Sequence, residues 1–244
     1  MSESGVSARD ITVESEHGPM RMYEARPDGP VRGAVIVIQE AFGVNSHIED
    51  VTRRAAAAGY QAVAPDMFHR SDSDSIVPYG EFDKVIPHFV ALGDDAAILV
   101  DIDAALAHLR AEGHHDAGIG MVGFCFGGRV TFLTALNRAI GAAVGFYGGG
   151  IVTGRFPQFP ALVGEVAKLQ TPWLGLFGDQ DASIPVDDVE TLRAALRDAP
   201  VDTEIVRYAE AGHGFNCDQR PDYRADDAED AWNRALAWFA KHLH

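Results

Sequence analysis

The feature that most constrains how this chain can fold is Gly123-Phe124-Cys125-Phe126-Gly127-Gly128. It lies between the apolar run Ile119-Gly120-Met121-Val122 and a helix-compatible stretch from Arg129 to Asn137. The order is strand, sharp turn, helix. In a Gly-x-Cys-x-Gly turn of this kind the central residue is held in a strained backbone conformation, and small neighbours let strand and helix approach closely. A helix beginning at Phe126 directs unpaired N–H groups at the Cys125 sulfur and favours the thiolate, the form that attacks. A free cysteine is otherwise commonly a buried, inert small hydrophobe. The reading of Cys125 as a nucleophile therefore depends on what the other strands bring to the same place.

Three segments bring chemistry to strand ends. Gly33 to Ile38 is continuously apolar, as in a central strand covered on both faces, and Gln39-Glu40-Ala41-Phe42-Gly43-Val44-Asn45 follows it. Ser46 to Glu49 has capping-box spacing for a helix that ends near Gly59. Trp173 to Phe177 reads as a strand leading into Gly178-Asp179-Gln180-Asp181-Ala182-Ser183-Ile184-Pro185, before a helix from Val186 to Arg197. Thr203 to Tyr208 leads into Ala211-Gly212-His213-Gly214-Phe215, and an amphipathic helix from Tyr223 to Leu243 closes the chain. Ligands of open α/β sheets bind beyond the carboxyl ends of the strands. Glu40, Cys125, a carboxylate at 179 or 181, and His213 are thus expected to share one crevice. The order Cys125, Asp181, His213 is a hydrolase order of nucleophile, acid and base.

The remaining segments read as scaffold and walls. Asp10–Ser15 and Met20–Ala25 flank the turn-like Glu16-His17-Gly18-Pro19 and predict an antiparallel hairpin at a sheet edge. Gln61–Pro65 and Ala142–Tyr147 read as strands, and Asp94–Glu112 as a crossover helix. Residues 66–93 and 148–164 lack clear periodicity and are expected to wall or cover the cleft, while residues 1–8 are expected to be flexible. The expected fold is thus a single α/β domain over 1–244, with a mostly parallel central sheet, helices on both faces and an N-terminal antiparallel edge hairpin. Phe42, Phe68, Tyr79, Tyr147, Phe215 and Cys217 are candidate pocket residues.

Charge and cysteine usage narrow the partners. With 20 basic and 36 acidic residues the formal charge is −16, which opposes attraction to nucleic acid or anionic membrane. No leader-like start and no apolar run near a spanning length is present, so a soluble, cytoplasmic protein is expected. Two cysteines are too few for a disulfide framework or a four-cysteine zinc site, and the ten histidines are scattered. No metal and no cofactor is expected, and a monomer is the default.

Taken together, Val35 to Asn45, Ala64-Pro65-Asp66, Gly123 to Gly128, Gly178 to Pro185 and Gly212-His213-Gly214-Phe215 resemble the dienelactone hydrolase family of α/β-hydrolases, from about Gly33 to the terminal helix. The resemblance implies an ester or lactone hydrolase working through an acyl-thioester, with Cys125 as nucleophile and His213 as base and later acid. It implies Asp181 rather than Asp179 as the orienting carboxylate, since the family's acid directly precedes a segment ending in Ile-Pro or Val-Pro. It further implies an oxyanion hole from the backbone N–H groups of Phe126 and Ala41. Glu40 is implied to hydrogen-bond the resting thiol and to take its proton when substrate arrives. The family's arginine shortly after the histidine has no counterpart in Phe215-Asn216-Cys217, and Gly214 lacks a hydroxyl that some members carry. Arg220, Arg129, Arg70 and Lys84 are the candidates to take that arginine's place, though each reads first as a surface charge. The expected substrate is therefore a small ester or lactone, with dienelactone and a different ester, lactone or thioester both left open. A cysteine-elbow enzyme of the amidotransferase-like superfamily fits less well, because Phe126 stands where a histidine often follows that cysteine. A non-catalytic ligand-binding or thiol-sensing protein on the same fold is the reading from another class.

Overall fold

A computed structural model describes residues 5–244. Among these residues eight strands form one sheet: β1 (Val6–Ser15), β2 (Gly18–Pro27), β3 (Ala34–Ile38), β4 (Gln61–Pro65), β5 (Ile119–Phe124), β6 (Ala142–Phe146), β7 (Trp173–Gly178) and β8 (Thr203–Tyr208). Their spatial order is β1-β2-β4-β3-β5-β6-β7-β8. The β1/β2 and β2/β4 pairs are antiparallel and every later pair is parallel. Strands β3 to β7 are buried along their whole lengths, which is why they read as unbroken apolar runs. The single α/β domain with its antiparallel edge is as expected, but the hairpin is longer than its alternation suggested. β1 starts at Val6, opposite Pro27, so residues 6–8 of the expected flexible terminus are paired strand. Residues 1–4 lie outside the described residues.

Helices α1 (Ser46–Ala57), α2 (Ile86–Leu92), α3 (Asp95–Ala111), α4 (Phe126–Asn137), α5 (Val186–Ala195) and α6 (Ala225–His242) surround the sheet. α1 packs on β2, β3 and β4, and α6 on β6 and β7. The two helices share a face, where Arg54 of α1 lies over the Trp232 ring of α6. α3 and α4 pack on each other and on the sheet. The cap of α1 differs from the expected Ser46 by one residue: Asn45 has the extended backbone of an N-cap, and its side chain accepts from the Ile48 N–H at 3.2 Å.

α4 is buried on nearly all sides, as its lack of a polar face requires. Its approach to the sheet explains the glycines of the turn. A Cβ at Gly123 would collide with the Gly127 carbonyl, and one at Gly128 would stand 2.6 Å from the Phe146 carbonyl oxygen. The turn is clamped by both neighbouring strands, with the Cys125 N–H donating to Phe146 O at 3.0 Å and the Gly127 N–H to Gln39 O at 3.1 Å.

Candidate active site

Cys125 has φ 53° and ψ −111°, a left-handed conformation that costs a non-glycine residue roughly 1–3 kcal/mol and persists only where surroundings enforce it. It puts the side chain at the N-terminus of α4, facing a cavity of about 580 Å³ beyond the carboxyl ends of the strands. The Phe126 amide opens α4 and has no carbonyl one turn back to satisfy it. Both Phe126 and Ala41 line the cavity with Cys125.

The loop after β8 carries His213 to the same place. Its Nε2 lies 3.1 Å from Cys125 Sγ and its Nδ1 lies 2.6 Å from Asp181 Oδ2. The other oxygen of Asp181 accepts from the Ser183 N–H at 2.8 Å and the Ser183 hydroxyl at 2.7 Å, so the carboxylate is fixed in direction. Asp179 is engaged elsewhere, accepting from Arg207 Nε and Nη2 at 2.7 and 2.8 Å. Burial alone would lower the pKa of His213, but the Cys125 charge and the Asp181 carboxylate outweigh it and push the imidazole up to about 10. Burial would raise Asp181, yet its hydrogen bonds from His213 and Ser183 hold it below the usual carboxylate range. The arrangement can hold a proton between sulfur and carboxylate on one imidazole.

Glu40 is 0% exposed at the end of β3. Its Oε1 accepts from Arg220 Nη1 at 3.3 Å and its Oε2 has no partner among the described residues. The structure thus sets the thiol against His213 and Glu40 against Arg220, in place of the expected thiol–Glu40 hydrogen bond. Three of the four cations read as surface charges are held inside. Arg220 is 12% exposed, over the rings of Phe42 and Tyr79. Arg129 is bidentate to Asp95 at 2.6 and 2.9 Å, and Arg70 donates to the buried Asp101 at 2.8 Å. Lys84 is exposed and pairs with Glu81. Arg220 also accounts for Gly214: at φ 83°, a Cβ there would stand 2.7 Å from the guanidinium carbon.

The six expected pocket side chains do not line the cavity. They stand one layer behind it and prop its wall. Phe42 packs on Tyr79 and Phe82, Phe68 stacks on His88 and meets Phe89, and Tyr147 lies edge-on to His213 and against Phe215. Cys217 Sγ lies 3.3 Å from the Tyr79 hydroxyl. The apolar lining comes instead from Phe82, Val85, Ile86 and Phe89 around α2, and from Phe156 and Phe159 on the 148–164 segment. Phe82, Phe89, Phe156 and Phe159 all lie in the two segments expected to wall the cleft, and the structure brings them to its lining. Ser183 carried no sequence signal beyond lying between Asp181 and Pro185. Among the described residues, His47, Cys217 and Asp218 have donor atoms within 4.8 Å of one another, close enough for a common ion. Burial and Glu40 push the Cys217 thiol up to about 11. No helix among the described residues is long and apolar enough to cross a membrane.

Comparison with known proteins matches the sequence profile of the dienelactone hydrolase family to residues 20–243. A Yersinia pestis protein provisionally named carboxymethylenebutenolidase is 39% identical, over 98% of this chain and 90% of its own length. An Escherichia coli protein with the same provisional name is also 39% identical, over 98% and 89%. The crystal structure of a provisionally assigned dienelactone hydrolase from Klebsiella pneumoniae is 40% identical, with a TM-score of 0.89, covering 98% of this chain and 100% of that one. A dienelactone hydrolase-like promiscuous phosphotriesterase from metagenomic libraries, 22% identical with a TM-score of 0.80, shares the fold.

Proposed function

The chain belongs to the dienelactone hydrolase family and is a hydrolase of lactone or ester bonds, and on that premise we propose that Cys125, His213 and Asp181 carry out the cleavage through an acyl-thioester. The observation that carries this reading is the position of the His213 ring, 3.1 Å from sulfur on one side and 2.6 Å from a carboxylate on the other.

In the proposed reaction the Cys125 thiolate attacks the substrate carbonyl carbon, and the π electrons move to oxygen. The backbone N–H groups of Phe126 and Ala41 receive that oxyanion, two fixed donors meeting charge that exists only in the tetrahedral intermediate. As the intermediate collapses, the carbon–oxygen bond to the leaving group breaks and the His213 imidazolium gives its proton to the departing oxygen. Water then attacks the thioester while neutral His213 takes a proton from it, and the sulfur leaves. Asp181 holds the imidazole in register and stabilises its charged form, and Ser183 fixes Asp181 in turn.

A buried carboxylate disfavours a second negative charge near it, so we assign Glu40 the uptake of the thiol proton as substrate arrives. With Sγ turned towards the unpartnered Oε2 the carboxylate hydrogen-bonds the resting thiol, and with Sγ at His213 the thiolate faces the imidazolium. Glu40→Gln should lower ester turnover about a hundredfold with the fold intact; unchanged kinetics would remove Glu40 from the mechanism.

The deciding experiment is steady-state hydrolysis of a dienelactone, a simple aryl ester and a short acyl thioester by native protein and by Cys125→Ala. Loss of at least about a thousandfold in the variant is expected. A folded native protein that turns over none of them would instead support a ligand-binding or thiol-sensing role.

A further inference from the structure

The wall of the cavity changes character away from His213. Phe126 directly follows Cys125, and its ring centroid lies 5.3 Å from that of Phe89 on α2. Phe89 in turn meets Phe156 at 5.6 Å and Phe159 at 6.1 Å, both on the 148–164 segment. All four rings line the cavity, so an aromatic trough begins at the nucleophile and runs outward between the two walls. Its mouth is bordered by Phe82 and Ile86, 59% and 56% exposed. Isolated exposed apolar residues are ordinary, but these two stand at the same opening. Of the two arginines that line the cavity from these walls, Arg129 is committed to Asp95 and to the Pro160 carbonyl, and the exposed Arg155 directs its guanidinium towards Gly149. Polar groups gather around His213, where Ser183 lies beside its ring and Gln180, Gly212, Arg220 and Asp222 complete the polar end of the lining.

This division fixes which half of a substrate goes where. His213 must reach the leaving oxygen, so the leaving group occupies the polar end. The acyl group then extends from the Cys125 sulfur past Phe126 into the trough. A cavity of about 580 Å³ falls within the roughly 300–1,000 Å³ of sites that enclose drug-sized ligands, and a small lactone acid would leave much of that apolar wall unfilled. Aromatic rings are best met by another ring, edge-on or offset.

The geometry points to esters of aryl-substituted carboxylic acids as the preferred substrate class, with the aryl ring seated among Phe89, Phe126, Phe156 and Phe159. The inference rests on Cys125 being the nucleophile and goes beyond it by naming the acyl group.

The test compares kcat/KM for 4-nitrophenyl 3-phenylpropionate and 4-nitrophenyl acetate with native protein, Phe156→Ala and Phe89→Leu. The native ratio should be at least about tenfold, the lower end of what a methylene-sized difference in an apolar pocket gives, and should fall severalfold in both variants. Phe156 is partly exposed, so its variant should fold; thermal unfolding checks both. A native ratio near one, a preference for dienelactone over the phenylpropionyl ester, or a ratio untouched by either variant in folded protein would overturn the inference. Calorimetry of 3-phenylpropionate with Cys125→Ala separates the subsite from the chemistry. Binding that Phe156→Ala weakens, with no turnover by native protein, would sink the proposed mechanism and leave the subsite standing. Cysteine-dependent turnover with a flat ratio and no binding at millimolar acid would leave the mechanism and remove the subsite.

Discussion

At the scale of single residues, Arg220 and Gly214 form one unit. Arg220 reaches Glu40 from 180 positions away in sequence, and it does so through the space that a side chain at 214 would take. In sequence it sits in Asp218-Gln219-Arg220-Pro221-Asp222, a polar run with every mark of a surface loop. Only the folded chain shows the guanidinium turned inward. Asp181, by contrast, was legible from its place before Ile184-Pro185, and the structure adds the physical reason: Arg207 already holds Asp179. Cys125 and His213 were legible for a different reason: Gly123 and Gly127 bracket one turn, and Gly212 and Gly214 flank the other residue directly. Gly214→Ser should destabilise the protein by about 1–2 kcal/mol, the cost of a left-handed residue with a Cβ, as read by urea denaturation. Because the guanidinium end can swing, the backbone rather than the clash sets this cost. Unchanged stability would mean that the backbone at 214 relaxes away from φ 83°.

At the scale of elements, the parallel strands were readable because burial on both faces leaves only apolar residues. α2 was not. It has only seven residues, and its His88 and Leu92 face inward while Ile86 and Val90 face out, so no inward apolar stripe marks it. The expected cleft segment 148–164 is joined to the core by Arg129 at the start of α4. It is 3% exposed and binds Asp95 of α3 together with the Pro160 carbonyl of the 148–164 segment. Arg129→Met leaves a largely buried carboxylate without its partner and should cost about 3 kcal/mol. Adding Asp95→Leu should recover most of that loss, because removing both charges also removes the uncompensated one. Chemical denaturation of the single and double variants checks the prediction; equal losses in both would mean that the Pro160 contact, rather than the ion pair, is what matters.

At the scale of the molecule, acid stability turns on Glu24 of β2. It is almost wholly buried, yet Arg9 of β1, Arg26 of β2, Gln61 of β4 and His108 of α3 all reach its carboxylate. Burial alone would raise its pKa, and the hydrogen bonds from Arg26, His108 and Arg9 pull it down to about 2. A folded pKa below the unfolded one contributes stability that is present above about 4.5 and is lost as pH falls through about 2. Between pH 5 and pH 3 the native protein should therefore lose roughly 2 kcal/mol more than Glu24→Gln in urea melts. Parallel curves would assign the acid transition to other carboxylates. The two cysteines give the molecule a different kind of property. Cys125 opens onto the cavity, whereas Cys217 is 0% exposed against Tyr79 with its thiol pushed up to about 11. An alkylating reagent at neutral pH should therefore consume one equivalent in the folded protein and two after unfolding. The chain then carries its own internal standard, since the first equivalent counts competent sites and the second counts total chains in any preparation.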